Sequence, residues 1–331
     1  MTAHRSEIAA VAPMASVDDL SVRFRTARGA VQAVDGVSFA VRPGEVLGLI
    51  GESGCGKSVT MRALMRLLPA AATDISGKVE VDGLDVMTLG EKALGAYRGR
   101  TTAMIFQDPG LAFDPVYTIG QQIVEMLRRH TGCSRKEALE RAQELLELVK
   151  VPSARARLDN YPHEMSGGMR QRAMIALALS CRPKLVLADE PTTALDATVQ
   201  IQVLLTLREL QQRFGMSAIF VTHDLGVAAE ICDRIAVMYA GRIVETGSAE
   251  QVLLQPRHPY TQALLASTIH GSMRGTRIHG IPGAPPDLAQ ALPGCAFRAR
   301  CPRAVADCAH ARPALESVAA GHAAACLLSR E

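Results

Sequence analysis

The chain has 331 residues, enough for one large core and a smaller appendage. Hydrophobic residues make up 48% and charged ones 21%, the balance of a soluble globular protein rather than a disordered one. A formal net charge of +3 is too small to argue for nucleic acid or an anionic membrane surface as the main partner.

The chain opens with MTAHRSEIAAVAPMASVDDL, which carries Glu7, Asp18 and Asp19 and lacks the long apolar region of a secretory signal. Residues 1–16 therefore read as a ragged leader. Nowhere does an apolar run approach the roughly 18 residues of a membrane span. Ala173 to Cys181 is apolar but short, and Arg170, Arg172 and Arg182 flank it. The expectation is a cytosolic protein with reduced cysteines, which meets a membrane only through a partner chain.

From Val17 to Gly247 strand-like and helix-like stretches alternate, which predicts an α/β domain with a largely parallel sheet. Val46 to Ile50 reads as a buried strand ending in a Gly-rich turn, and Ser58 to Leu68 has helical apolar spacing. Ile119 to His130 and Ser134 to Lys150 read as two amphipathic helices with no strand between them, a helical insertion. Ser134 followed by Glu137 fits a capping box. Leu185 to Ala188 and Ala218 to Thr222 are short apolar runs of the kind found in buried parallel strands. Beyond Gly247 the composition shifts toward proline, and four of the eight cysteines fall there, so a boundary is placed near Gln251.

Two motifs carry chemistry. Residues 51–58 read GESGCGKS, and Gly51, Gly56, Lys57 and Ser58 satisfy the phosphate-loop pattern. Glycines let the backbone N–H groups point at phosphate oxygens. Lys57 reaches the β- and γ-phosphates, and Ser58 coordinates Mg²⁺. Gly51, Ser53, Gly54, Cys55, Gly56, Lys57, Ser58 and Val59 are the expected nucleotide contacts, with Cys55 simply a loop residue. Residues 185–190 read LVLADE. Asp189 ends a buried strand and is placed to hold the Mg²⁺ shell, while Glu190 is placed to polarise the attacking water.

Between them, residues 165–172 read MSGGMRQR, where Ser166, Gly167 and Gly168 offer a hydroxyl and N–H groups at a helix start. This order of motifs resembles the nucleotide-binding subunits of ABC transporters, and the resemblance covers nearly the whole chain. It implies a P-loop NTPase fold with a RecA-like core, an antiparallel β edge, and a helical subdomain over about 111–180 within an ATPase domain of 17–250. It also implies roles. Gln107 in AMIFQDP senses Mg²⁺ and the γ-phosphate. Asp196 in TTALDAT lies in the loop that crosses the dimer interface. His223 in FVTHDL contacts the γ-phosphate, and Phe24 in SVRFRT stacks on adenine. ATP would sit between two subunits, one giving the phosphate loop and the other the SGG segment.

The tail, 251–331, narrows the family. QPRHPYTQALLAS, IPGAPPDL and GCAFRARCPRA resemble the tail of dipeptide, oligopeptide and nickel importer ATPases, as do YPHEMSGGMRQR and MIFQDP. The resemblance implies an ATPase energising import of small peptides at the cytoplasmic face of the inner membrane. Its partners would be a second, non-identical ATPase chain, two membrane permeases and an extracytoplasmic binding protein, with no nucleic acid. A nickel or other small-solute importer, or a soluble non-transport ABC ATPase, is the alternative. Cys295, Cys301, Cys308 and Cys326 are spaced C-x5-C-x6-C-x17-C, and four thiolates suit a [4Fe–4S] cluster or Zn²⁺. The bland reading is four free or buried cysteines. Some relatives of this type carry an iron–sulfur cluster on this tail, so the resemblance implies iron–sulfur rather than zinc.

Overall fold

The computed structural model describes residues 12–27, 29–192, 196–267 and 280–329, so most of the expected leader lies outside the described residues. The chain begins with two long antiparallel strands, β1 (Ala15–Thr26) and β2 (Gly29–Val41). Next comes β3 (Val46–Ile50), buried along its whole length, which runs through the Gly-rich turn into α1 (Lys57–Leu64). That helix stops at Leu64, short of the Leu68 expected from apolar spacing. Arg66 turns into left-handed backbone (φ 49°), and Pro69 follows where a helix cannot continue. The strands β4 (Thr73–Val81) and β5 (Leu84–Asp85), the short helix α2 (Glu91–Ala96) and the strand β6 (Thr102–Ile105) complete the first third.

Four helices then come in succession: α3 (Ile119–Thr131), α4 (Arg135–Leu148), α5 (Ala154–Arg157) and α6 (Gly167–Leu179). The predicted capping box is present at α4. Glu137 N–H donates to Ser134 Oγ at 3.3 Å, and Ser134 N–H donates to the Glu137 carboxylate at 2.8 Å. The α/β alternation resumes with β7 (Leu185–Asp189), α7 (Ala197–Phe214), β8 (Ser217–Thr222), α8 (Leu225–Ile231), β9 (Arg234–Tyr239) and β10 (Arg242–Ser248). Two helices, α9 (Ala249–Leu254) and α10 (Pro259–Ala266), and two late strands, β11 (Glu316–Ala319) and β12 (His322–Ala324), close the chain.

Two sheets result. The first is antiparallel, in the order β2-β1-β4-β5. The second has the order β11-β12-β10-β9-β3-β8-β7-β6, and its run β9-β3-β8-β7-β6 is parallel. Every residue of β3, β7 and β8 is buried, which is why these strands appear in the sequence as unbroken apolar runs. The two faces of β3 feed different cores. Val46 and Ile50 pack with the helical insertion, while Leu47 and Leu49 pack with Val17, Leu20 and Val22 of the antiparallel sheet.

The tail does not stand apart. Its strand β12 pairs with β10, Glu245 opposite Ala324, and so lengthens the main sheet. Phe297, 1% exposed, packs edge-on against Tyr239 at 5.3 Å and Tyr260 at 5.4 Å between ring centres. The proline- and cysteine-bearing tail therefore packs into the core of the ATPase unit.

Candidate active site

Parallel order places four loops side by side, because β3, β8, β7 and β6 are neighbours and all end on one edge. In open α/β sheets that carboxyl edge is where ligands bind. The phosphate loop follows β3, His223 follows β8, Asp189 and Glu190 close β7, and Gln107 lies just past β6.

The phosphate loop is pressed against β9 and β2. A Cβ at Gly51 would meet the Met238 carbonyl at 2.1 Å, and one at Gly56 (φ 109°) would meet the Ala33 carbonyl at 2.4 Å. Glycine is required at both places by this close approach of backbone. Lys57, 4% exposed, donates from Nζ to the carbonyls of Gly51 at 2.7 Å and Glu52 at 2.9 Å. Its ammonium is thus held under the loop. Cys55 lies beside it, with Sγ 3.7 Å from Lys57 Nζ, and burial pushes its thiol up despite that ammonium. Ser53 and Gly54 are exposed on the loop, and Val59 packs toward the antiparallel sheet.

Two contacts tie the loop to the acidic motif. Ser58 Oγ donates to Asp189 Oδ1 at 2.8 Å, so hydroxyl and carboxylate share one spot. Both are hard oxygen donors of the type Mg²⁺ takes alongside substrate phosphates. Burial pushes the Asp189 carboxyl up, and the Ser58 hydrogen bond opposes that shift. Glu190 adopts left-handed backbone (φ 45°), a conformation that costs a non-glycine residue about 1–3 kcal/mol. Its N–H donates to the Val221 carbonyl at 3.1 Å, which fixes it against β8. The Gln107 side-chain amide donates to Glu190 Oε2 at 3.2 Å, and His223 Nδ1 lies 3.4 Å from the same oxygen. One carboxylate oxygen is therefore flanked by the two groups the sequence singled out on separate strands.

Other predicted residues stand elsewhere. Ser166 caps α6, accepting from Met169 N–H at 3.3 Å, and among the described residues no hydrogen bond joins it to Lys57, Ser58 or Asp189. Ser166 and Gly167 are exposed, while Gly168 comes close to Val199 of α7. Asp196 caps α7 by accepting from Val199 N–H at 3.0 Å, and Thr193, Ala194 and Leu195 before it lie outside the described residues. Phe24 is half-buried on β1 against the antiparallel-sheet core.

The four tail cysteines are free thiols. Burial pushes Cys295 and Cys301 up, and the charges of their mutual neighbours, Cys308 and Cys326 among them, add to the shift. Backbone N–H groups of Phe297, Arg303 and Leu328 point at the sulfurs of Cys295, Cys301 and Cys326. The thiols are thus neighbours. Among the described residues, however, no group of three or more His, Cys, Asp and Glu is arranged to hold a metal ion. The expected four-cysteine ligand set is therefore not assembled among the described residues.

The model for "ABC transporter" matches residues 34–193, and that for "Oligopeptide/dipeptide transporter, C-terminal region" matches 244–308. The chain is 47% identical to the oligopeptide transport ATP-binding protein OppD of Salmonella typhimurium, over 97% of each chain. The chain belongs to the ATP-binding proteins of ABC transporters. It is also 45% identical to the dipeptide transport ATP-binding protein DppD of Bacillus subtilis, over 95% of this chain and 94% of that one. Among solved structures, the dimeric ATP-binding cassette MJ0796 bound to ADP and Pi aligns with a TM-score of 0.64 at 26% identity, covering 71% of this chain and 99% of that one. As an ABC ATP-binding protein the chain is an ATPase of the P-loop fold, and ATP with Mg²⁺ is its expected ligand.

Sequence reasoning missed Glu52 and Arg300. Arg300 donates to both Glu52 oxygens, at 2.7 and 3.0 Å. Neither residue belongs to a periodic pattern, and the only hint was an acidic residue inside an anion-binding loop.

Proposed function

We propose that this chain is the ATP-hydrolysing subunit of an importer of di- and oligopeptides. The observation that carries the catalytic half is the meeting of Gln107 and His223 on Glu190, beside the Ser58–Asp189 pair. The peptide half is supported by the match of the tail to the oligopeptide/dipeptide region and by relatives named for peptide transport.

In this reading the loop over Gly51, Ser53, Gly54, Cys55, Gly56, Lys57, Ser58 and Val59 cradles the triphosphate, and Phe24 stacks on the adenine. Ser58, Asp189 and Gln107 would hold Mg²⁺, which would neutralise phosphate charge. Glu190 polarises a water, accepts its proton as the water oxygen attacks the γ-phosphorus, and the bond to the leaving ADP oxygen breaks. Gln107 and His223 hold the carboxylate so that one oxygen faces the water. Ser166, Gly167 and Gly168 serve the site of a second, homologous ATPase chain, and Asp196 lies in the loop that crosses to it.

The wider assembly adds two permeases and an extracytoplasmic binding protein, with this subunit at the cytoplasmic face of the inner membrane. Among the described residues no helix is long and apolar enough to cross a membrane. A groove of about 360 Å³ lined by Met65, Leu67, Met104, Phe106, Met126 and Met174 lies between core and helical insertion, a soft apolar seat for a permease helix. The chain divides into a leader over 1–16, the ATPase unit over 17–250 and the tail over 251–331. Cys295, Cys301, Cys308 and Cys326 together would hold a [4Fe–4S] cluster, or alternatively zinc, once a metal drew them together, and the sulfur-directed N–H groups support this. Anaerobic purification with iron and sulfide assays tests it, and a folded tail lacking both iron and zinc removes it.

The function is tested by reconstituting the subunit with its permeases, partner ATPase and binding protein. Lys57→Ala is expected to abolish ATP-dependent peptide uptake, and uptake undiminished by that change would refute the reading.

A further inference from the structure

Glu52 is an oddity in an anion-binding loop. A carboxylate between Gly51 and Ser53 adds negative charge where a triphosphate must dock. The structure answers this from the far end of the chain. Arg300, in the tail sequence CAFRARC, meets Glu52 with both ends of its guanidinium, at 2.7 and 3.0 Å. This is the two-pronged geometry that fixes a carboxylate in direction as well as in place. The Arg300 side chain is only 4% exposed, and that of Glu52 is 26% exposed.

Arg300 is itself braced. It donates to the carbonyls of Pro282 at 3.0 Å and Ile281 at 3.3 Å and to the Tyr239 hydroxyl at 3.3 Å. Its position lies between Cys295 and Cys301, directly behind the buried Phe297. The hydrogen bonds to Glu52 hold its guanidinium pKa above the usual arginine value. On the loop side Glu52 has two more anchors. Its N–H donates to the Tyr260 hydroxyl at 2.8 Å, and its carbonyl accepts from Lys57 Nζ at 2.9 Å. A continuous set of contacts therefore runs from the cysteine-bearing tail through Arg300 and Glu52 to the phosphate-loop lysine.

We propose that Arg300 is a positioning residue for the nucleotide site: it neutralises and orients Glu52, so that the tail sets how well the phosphate loop accepts a triphosphate. The proposal rests on the reading of GESGCGKS as an ATP site. Without Arg300, Glu52 remains half-covered beside the loop with no countercharge, and it both repels phosphate and frees the loop. Removing Glu52 as well removes the repulsion. The two changes should thus compensate, which a merely structural role for Arg300 does not predict.

The test is equilibrium binding of Mg²⁺·ATP to the full-length chain. The unmodified chain and Lys57→Ala report on the site itself. If the unmodified chain binds no ATP, the site reading fails, whatever Arg300 does. Given binding, Arg300→Ala is expected to weaken ATP affinity by about tenfold, the loss of one charge-assisted contact. Arg300→Lys should fall between, because a point charge replaces the fork. Glu52→Gln added to Arg300→Ala should restore most of the loss. Unchanged affinity in Arg300→Ala, or a further loss in the double variant, overturns the proposal.

Discussion

Glu190 concentrates the local physics of the site. Its backbone is left-handed, its N–H is tied to β8, and its side chain is met by Gln107 and His223. Lys57 is the second fixed point, buried beneath the loop and anchored on two carbonyls. Lys57→Ala removes charge-assisted bonds to phosphate and should weaken ATP binding by roughly 10- to 100-fold in equilibrium titration. The residues that act in contiguous motifs, Lys57, Ser58, Asp189 and Glu190, were visible in the sequence because each motif imposes its own local geometry. The Glu52–Arg300 pair was not, since 248 positions separate the partners and only the folded tail joins them.

At the scale of elements, the strands legible beforehand were those covered on both faces. β3, β7 and β8 have no solvent side, so their apolar runs are unbroken. In contrast, β11 and β12 are short, with mixed exposure, and β12 exists because β10 offers it an edge. The loop between β3 and α1 makes a paired prediction. Gly51→Ala must push the Met238 carbonyl aside and should cost about 1–3 kcal/mol in denaturant unfolding. Gly54→Ala meets nothing within 4 Å and carries only the penalty of its positive φ, about 1 kcal/mol. Equal losses would contradict the packing account.

The start of α10 responds to acid. His258 caps this helix, its Nδ1 accepting from Tyr260 N–H at 3.0 Å, and burial pushes its pKa down to about 4, against a hydrogen bond with the Ala325 backbone. A lowered histidine pKa means that the unfolded chain binds the extra proton. The stability it contributes is therefore full above about pH 6.5 and is lost as pH falls toward 4, by up to about 3 kcal/mol. Thermal unfolding followed from pH 7 to 4.5 should show this decline, with a shallower slope in His258→Asn.

Across the whole molecule, Ser166 at the start of α6 makes no hydrogen bond to Lys57, Ser58 or Asp189 among the described residues, and α7 exposes Ile201 and Leu205, each 57% accessible. ATP-binding proteins of ABC transporters act as dimers, as in the dimeric cassette MJ0796. The α/β order, the helical insertion and the motif sequence were legible because they are local or periodic. How the tail enters the main core through Phe297 and β12 was not, because those contacts depend on Tyr239 and β10, which lie far away in the chain.

In the proposed mechanism Glu190 drives ATP hydrolysis in a site closed by a second ATPase chain. The most direct measurement is the ATP turnover rate of the assembled transporter carrying Glu190→Gln, taken together with its ATP occupancy. The account predicts intact ATP binding, a trapped closed pair of subunits and turnover lowered by about 10²-fold or more. Turnover at the unmodified rate, with ATP still bound, would contradict it.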